Sequence, residues 1–122
     1  MLTRIALLIA SVCLGIGEAR AGFPEFEGPV LKLGRTVWMG TCEACHANPM
    51  SDAPQVKQWA AWAPRVAKGR EALYTSALNG FTGKSGEEMP PRGGNANLSD
   101  PEVKAAVEYI LKLVTIAKGE MK

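Results

Sequence analysis

The chain has 122 residues, of which 47% are apolar and 21% charged, a balance that supports one globular domain and no more. A formal net charge of +2, with no long basic run, gives no electrostatic basis for binding nucleic acid. A domain of this size buries a limited share of its surface, so a large apolar cofactor at its centre would add stability.

Residues 1–21 have the features of a secretory leader. Arg4 supplies a positive start, residues 5–17 form an apolar run, and Ala19-Arg20-Ala21 is a small-x-small cleavage pattern. We predict cleavage after Ala21 and export to the periplasm. An uncleaved leader that associates the protein with the membrane is the alternative, although the apolar run is short for a membrane span.

One domain is expected to follow the leader, over residues 22–122. That segment carries 12 basic and 11 acidic side chains, so strong electrostatic steering towards a partner is not expected. Cys13 lies within the leader, where we interpret it as a small apolar residue. Cys42 and Cys45 are therefore the two cysteines of the exported chain.

A first helix is predicted from Pro29 to about residue 40, after an irregular arm over residues 22–28. Proline is well tolerated in a first helical turn. Val30, Leu33 and Val37 have the spacing of an apolar helical stripe. Gly34 lies inside this helix, where glycine costs about 1 kcal/mol relative to alanine. We therefore expect another element to approach closely at Gly34.

The middle of the chain gives weaker signals. Residues 48–54 have the composition of a loop, and residues 56–62 are ambiguous. Pro64 is expected to start or break a short helix ending near residue 69. Residues 70–79 are predicted to be helical, with Gly80 as the stop.

Residues 81–98 are predicted to form a long loop, and long loops in small domains are usually functional. Six glycines and prolines lie within it: Gly83, Gly86, Pro90, Pro91, Gly93 and Gly94. No strand-like alternation is present in the chain.

The last helix has the clearest signal. Ser99 and Glu102 form a capping box, and Pro101 lies in the first turn. Apolar residues from Val103 to Val114 then keep a 3.6-residue period over about 17 helical residues. The whole pattern predicts an all-α domain of about four or five helices.

The motif that carries chemistry is Cys42-Glu43-Ala44-Cys45-His46. Two thiols separated by two residues match the two vinyl groups of a haem, and the following histidine is then held beneath the iron. The motif therefore predicts one covalently bound haem c, attached through Cys42 and Cys45, with His46 as an axial ligand.

Other interpretations of the motif are weaker. A thioredoxin-like redox pair requires a βαβ setting, which the sequence lacks. A zinc site needs about four ligands, but the chain has a single histidine beside two cysteines. A coincidental C-x-x-C-H is also disfavoured by the export signal.

The second axial ligand must be a methionine, another group, or nothing, since no second histidine exists. Met39 lies three residues before the motif and on the wrong side, Met50 follows His46 too closely, and Met121 is terminal. Met89 lies 43 residues after His46, in the long loop and before two prolines that stiffen the backbone. We predict Met89 as the ligand, with a core-filling or loop methionine as the alternative.

These residues resemble the class I cytochromes c, and within them the small bacterial cytochrome c-5 type. The resemblance runs from about residue 34 to residue 111. Its matching segments are CEACH at 42–46, DAP at 52–54, AAWAPRVAKG at 60–69, EMPPRGGNANLSD at 88–100 and EVKAAVEYI at 102–110.

The resemblance implies a fold in which the first and last helices cross, with Gly34 and Tyr109 at the crossing. It implies that the Pro54 carbonyl accepts from His46 Nδ1–H, which would fix the ring and its tautomer. It also suggests Trp62 and Arg65 near the haem propionates, the alternative being a core tryptophan and a solvated arginine.

One departure concerns the loop that carries Met89. Many c-5 type proteins have a cysteine pair just after the MPP-x-GG segment. In this chain the corresponding positions are Asn95 and Leu98. We therefore expect a more mobile loop that depends on haem ligation.

The expected function is single-electron shuttling rather than enzymatic catalysis, because an iron with both axial positions filled has no open site for substrate. The expected partners are redox proteins: a quinol-oxidising complex or dehydrogenase as donor, and an oxidase or reductase as acceptor. A monomer or weak dimer is expected. The alternatives are a dedicated haem subunit of an oxidoreductase, and a haem enzyme or gas sensor with an open sixth position.

Overall fold

The computed structural model describes residues 22–121, and the predicted leader lies outside this range. The chain begins with an extended arm and continues into α1 (Pro29–Val37), a π-helical segment (Trp38–Cys42) and α2 (Glu43–His46), without an intervening loop. Helices α3 (Trp59–Val66) and α4 (Arg70–Asn79) follow. Among these residues, no helix combines the length and hydropathy needed to cross a bilayer.

The segment after α4 contains a very short hairpin that the sequence did not reveal. Strand β1 (Phe81–Thr82) pairs antiparallel with β2 (Glu88–Met89), so that Phe81 lies opposite Met89. A 3-10 turn (Pro91–Gly94) leads to the long helix α5 (Asp100–Gly119). The hairpin joins residues within the predicted loop, and the fold is otherwise helical, as predicted.

Helices α1 and α5 cross at Gly34. A Cβ atom at this position would lie 2.1 Å from the carbonyl oxygen of Ala105 and 2.9 Å from Cβ of Tyr109. Only a glycine permits this approach, so the predicted role of Gly34 is confirmed. The arm packs over the crossing, where the Tyr109 hydroxyl donates to the carbonyl of Pro24 at 2.6 Å.

The predicted apolar face of α1 is partly wrong. Val30 and Leu33 are 52% and 39% exposed, whereas Gly34, Val37 and Trp38 are buried. The face of α1 that is buried is the one that α5 approaches at Gly34. The helical spacing of apolar residues does not by itself predict which face this is. Trp38 is fully buried beside Tyr109 and forms the centre of the core.

The prediction for Pro64 is also corrected. Pro64 lies inside α3, which starts at Trp59 and ends at Val66, three residues before Gly69. Trp62 is buried, and its indole N–H donates to the carbonyl of Gln55 at 3.0 Å. This burial and hydrogen bond stabilise the helix despite the proline, since tertiary packing commonly overrides intrinsic propensity.

Candidate haem site

A cleft of about 600 Å³ opens between the attachment motif and the hairpin. Its volume is typical of a cofactor site. Every helix of the fold contributes residues to its lining, and much of this lining is apolar. The apolar lining residues include Val37, Trp62, Leu73, Val107, Ile110 and Leu111. Such a lining can bury the faces of a large planar apolar group while one edge stays open to solvent.

Both cysteines of the motif line this cleft. The π-helical segment ends at Cys42, and α2 carries Cys45 and His46. The two thiols form no disulfide with each other. Burial, with a contribution from neighbouring Cys45, raises the pKa of the Cys42 thiol to about 11. A thiol with a raised pKa is a weaker nucleophile for disulfide exchange.

His46 is 8% exposed and is held by a folded-back segment. Its Nδ1 lies 2.9 Å from the carbonyl oxygen of Pro54, and its own carbonyl accepts from the amide of Val56 at 2.9 Å. A carbonyl can only accept, so Nδ1 carries the proton and Nε2 has a free lone pair. The predicted contact with Pro54 is confirmed.

The surroundings of His46 favour a neutral imidazole. Burial lowers the pKa of His46, and the nearby charge of Arg65 lowers it further, against the opposing effect of the Pro54 carbonyl. The ring of Trp62 lies 5.7 Å from the imidazole, centroid to centroid. A buried, neutral, oriented imidazole has the properties of a metal ligand.

Gln55 is a positioning residue that the sequence did not reveal. Its side-chain amide donates to the carbonyls of Cys45, at 3.0 Å, and Ala53, at 2.9 Å. The backbone carbonyl of Gln55 also accepts the hydrogen bond from the indole of Trp62. Gln55 thus connects the segment after the motif to both α2 and α3. A glutamine in a loop has no distinctive sequence signal, so only the structure identifies this role.

Met89 lines the same cleft as His46. It packs against a cluster centred on Ala77, Val103 and Val107. Met39, Met50 and Met121 are exposed, Met50 by 90%, and none of the three lines the cleft. Among residues 22–121, Met89 is thus the one methionine at the cleft, which favours it as the second axial ligand.

The backbone on either side of Met89 is tightly fixed. Gly80 has φ of +81°, and a Cβ atom there would lie 2.8 Å from the carbonyl oxygen of Met89. The hairpin turn is closed by Gly83, whose amide donates to the carbonyl of Glu87 at 2.7 Å. Beyond Met89, Asn95 donates to the hydroxyl of Thr41 at 3.4 Å. Protein contacts therefore help to hold this loop in the absence of the cysteine pair, and its greater mobility and dependence on haem ligation stay predictions.

Several charged side chains also line the cleft. Four are basic, and three carboxylates accompany them; the basic ones are Arg65, Lys68, Lys84 and Arg92. Trp62 and Arg65 both line the cleft, as the resemblance suggests, but their indole and guanidinium groups bond to the carbonyls of Gln55 and Ala61. Their role towards the propionates stays a prediction.

The residues at the cleft fit an iron porphyrin. The thiols of Cys42 and Cys45 have the C-x-x-C spacing required for attachment, and the imidazole of His46 has a free nitrogen. The apolar lining supplies the environment that the macrocycle needs. Among residues 22–121, no group of three or more His, Cys, Asp and Glu side chains offers a conventional metal site.

Comparison with known proteins gives consistent results. The family described as cytochrome C oxidase, cbb3-type, subunit III matches residues 29–110. Cytochrome c-555 of Chlorobaculum tepidum is 41% identical over 78 residues, which cover 64% of this chain and 71% of that protein. Cytochrome c5 of Azotobacter vinelandii is 41% identical over 68 residues, covering 54% of this chain and 76% of that protein.

A solved structure supports the same assignment. A chain of the electron transfer complex of nitrite reductase with cytochrome c has a TM-score of 0.57 and 34% identity, covering 67% of this chain and 94% of that chain. Sequence, fold and cleft chemistry therefore agree. The chain belongs to the class I c-type cytochromes, electron-transfer proteins that carry one covalently bound haem c.

Proposed function

We propose that this protein is an exported mono-haem electron carrier. Cys42 and Cys45 hold the haem through thioether bonds, and His46 and Met89 are its two axial ligands. The observation that carries this proposal is the convergence of all four side chains on one cleft, with a free imidazole nitrogen at His46. The curated relatives named cytochrome c-555 and cytochrome c5 support it.

The ligand set determines the chemistry. When bound, the haem supplies a one-electron iron couple. A ligand pair of His46, oriented by Pro54, and Met89 would stabilise ferric iron less than two nitrogen ligands do, because the soft sulfur favours ferrous iron and so raises the reduction potential. Two filled axial positions leave no site for substrate, so the protein transfers electrons through the exposed edge of the site and does not act as an enzyme.

The donor is a quinol-oxidising complex or a dehydrogenase, and the acceptor is an oxidase or a reductase. The solved complex of a cytochrome c with nitrite reductase supports a reductase as one class of acceptor. Export by the leader at residues 1–21 places this exchange in the periplasm, and a monomer or weak dimer suits brief contacts of small area.

A second candidate is a dedicated haem subunit of a larger oxidoreductase. The matching family is described as an oxidase subunit, which favours this alternative. The two functions share the same site and differ in the lifetime of the partner contact. Size-exclusion chromatography of the native protein in periplasmic extract separates them: a carrier elutes near its own mass, and a subunit elutes with its partner.

Replacing Met89 tests the ligand assignment. We expect Met89→Ala to keep its covalent haem but to lose the far-red absorption band that sulfur ligation gives the oxidised protein, because the sixth position is then open. The matched control is Met50→Ala, which removes a fully solvated methionine and should keep the band. Persistence of the band in Met89→Ala would show that another group binds the iron.

A further inference from the structure

Arg92 has an unusual backbone conformation. Its φ is +57°, and it is the one residue other than glycine with positive φ among residues 22–121. The others are six glycines: Gly28, Gly69, Gly80, Gly86, Gly93 and Gly94. A left-handed arginine is strained by its Cβ, and such strain persists only where side-chain contacts compensate for it.

The side chain of Arg92 makes two contacts that provide this compensation. Nη1 donates to the carbonyl of Leu98 at 3.0 Å, and Nη2 lies 2.6 Å from Oδ1 of Asp100. The planar guanidinium suits such a pair of acceptors because its nitrogens are fixed relative to one another. The Arg92 side chain is 29% exposed and that of Asp100 is 60% exposed, so solvent screens the ion pair, and the hydrogen bond to the Leu98 carbonyl is the better shielded of the two contacts.

These contacts join the two ends of the segment that follows Met89. Asp100 is the first residue of α5 and follows its cap, Ser99. Between Met89 and Arg92 lie two prolines, which leave the backbone little freedom to absorb a displacement. Val103, in the first turn of α5, packs in the same cluster as Met89. The contacts of Arg92, the two prolines and this shared cluster thus connect Arg92 with the surroundings of the Met89 side chain.

We infer that Arg92 is a positioning residue that clamps the Met89 segment to the first turn of α5. This inference rests on the proposed function, in which Met89 binds the iron. The clamp limits how often the sulfur leaves the metal. Because an external ligand can bind only while the sixth position is open, its observed rate and affinity report the open fraction.

The test measures binding of cyanide to the oxidised holoprotein. In Arg92→Gly the left-handed backbone is kept without strain while both side-chain contacts are lost. We expect cyanide to bind at least about tenfold faster than in the unaltered protein, since the open fraction rises. The far-red band should also disappear at a lower temperature than the helical circular dichroism signal, which marks local opening rather than unfolding.

The matched control is Arg35→Gln. Arg35 also bonds a backbone carbonyl, that of Phe23 at 3.0 Å, and pairs with a carboxylate, that of Glu25 at 3.5 Å, but it does not line the cleft. We expect its cyanide rate to stay within about twofold of the unaltered protein, because the open fraction does not change. A rise in this control equal to that in Arg92→Gly would overturn the inference, since the effect would then reflect general stability.

Arg92→Lys keeps the positive charge but replaces the planar guanidinium with a single ammonium nitrogen, which cannot make both contacts in the same geometry. We expect its cyanide-binding rate to lie between those of the unaltered protein and Arg92→Gly. If Arg92→Gly does not form holoprotein, Arg92→Lys provides the test. A cyanide-binding rate equal to that of the unaltered protein overturns the clamp, and a faster rate supports it. An unaltered rate in Arg92→Gly, with the far-red band present in the parent, contradicts the clamp alone. Absence of that band in the parent contradicts both the clamp and the ligand assignment.

Discussion

At the scale of single residues, Gly34 allows α1 and α5 to approach closely where they cross, because glycine has no Cβ atom. Gly34 lies in the middle of a helix, where glycine is unfavourable, and the sequence therefore indicated a close contact. The structure identifies that contact as the backbone of α5 at Ala105. Tyr109 lies beside it, fully buried, with its hydroxyl bonded to the arm. One glycine thus fixes the distance between two helices that enclose the cleft.

Adding a methyl group at Gly34 should destabilise the protein. In Gly34→Ala the new Cβ would lie 2.1 Å from a backbone oxygen that cannot rotate away, so the two helices must separate. We expect the free energy of unfolding of the holoprotein to fall by about 2 kcal/mol, within the range for overpacked cores. Denaturant titration followed by circular dichroism measures this change.

Gly40 provides the control for this substitution. A Cβ at Gly40 would meet no atom within 4 Å, although the residue belongs to the same continuous helical stretch. We expect Gly40→Ala to be neutral or to stabilise by up to about 1 kcal/mol, because alanine is the better helix former. Equal destabilisation by both variants would refute the close-contact explanation.

Local chemistry made some of the site predictable. The spacing within the motif at residues 42–46 predicts two thiols for haem attachment and a histidine beside them. The contact between His46 and Pro54 follows from the resemblance. The roles of Gln55 and Arg92 could not be predicted, because they depend on which carbonyls and carboxylates the fold brings within reach. An arginine in a left-handed conformation has no sequence signal at all.

At the scale of elements, helix boundaries marked by strong local signals were predicted best. Helix α4 spans the predicted residues, and α5 begins at the predicted capping box. The bounds of α3 and the existence of the hairpin around Met89 were not predicted, since burial of Trp62 and pairing with Phe81 are tertiary effects. Two-residue strands are too short to produce an alternating pattern.

The capping box of α5 should make stability depend on pH. Hydrogen bonds from the backbone and side chain of Ser99 lower the pKa of Glu102 below its ordinary value of 4.5. A lowered pKa in the folded state means that ionised Glu102 stabilises the fold above that ordinary value, and that the contribution is lost as pH falls through the lower, folded-state pKa.

We expect the melting temperature of Glu102→Gln to lie below that of the parent at neutral pH, and the gap to close in acid. At low pH the protonated carboxyl and the amide differ little, so the two proteins converge. Glu120→Gln is the control, because Glu120 is an exposed carboxylate at the opposite end of the same helix. A gap for Glu102→Gln that persists unchanged in acid would contradict the role of its ionised carboxylate.

At the scale of the whole molecule, the domain is organised around its cofactor. Two apolar clusters, one centred on Trp38 and Tyr109 and the other on Val103 and Val107, both contribute residues to the lining of the cleft. A domain of this size buries a limited share of its own surface, so a haem that fills the cleft would add stability. The near-neutral charge of residues 22–122 suits a carrier that leaves its partners readily.

Covalent attachment of one haem through Cys42 and Cys45 can be measured by intact-mass spectrometry of the protein purified from periplasmic extract, followed by tryptic mapping. We expect the mass of residues 22–122 plus one haem, with the haem retained on the tryptic peptide 36–57 that contains both cysteines and His46. A polypeptide without the added macrocycle, or a haem that is lost from that peptide on denaturation, would contradict covalent attachment.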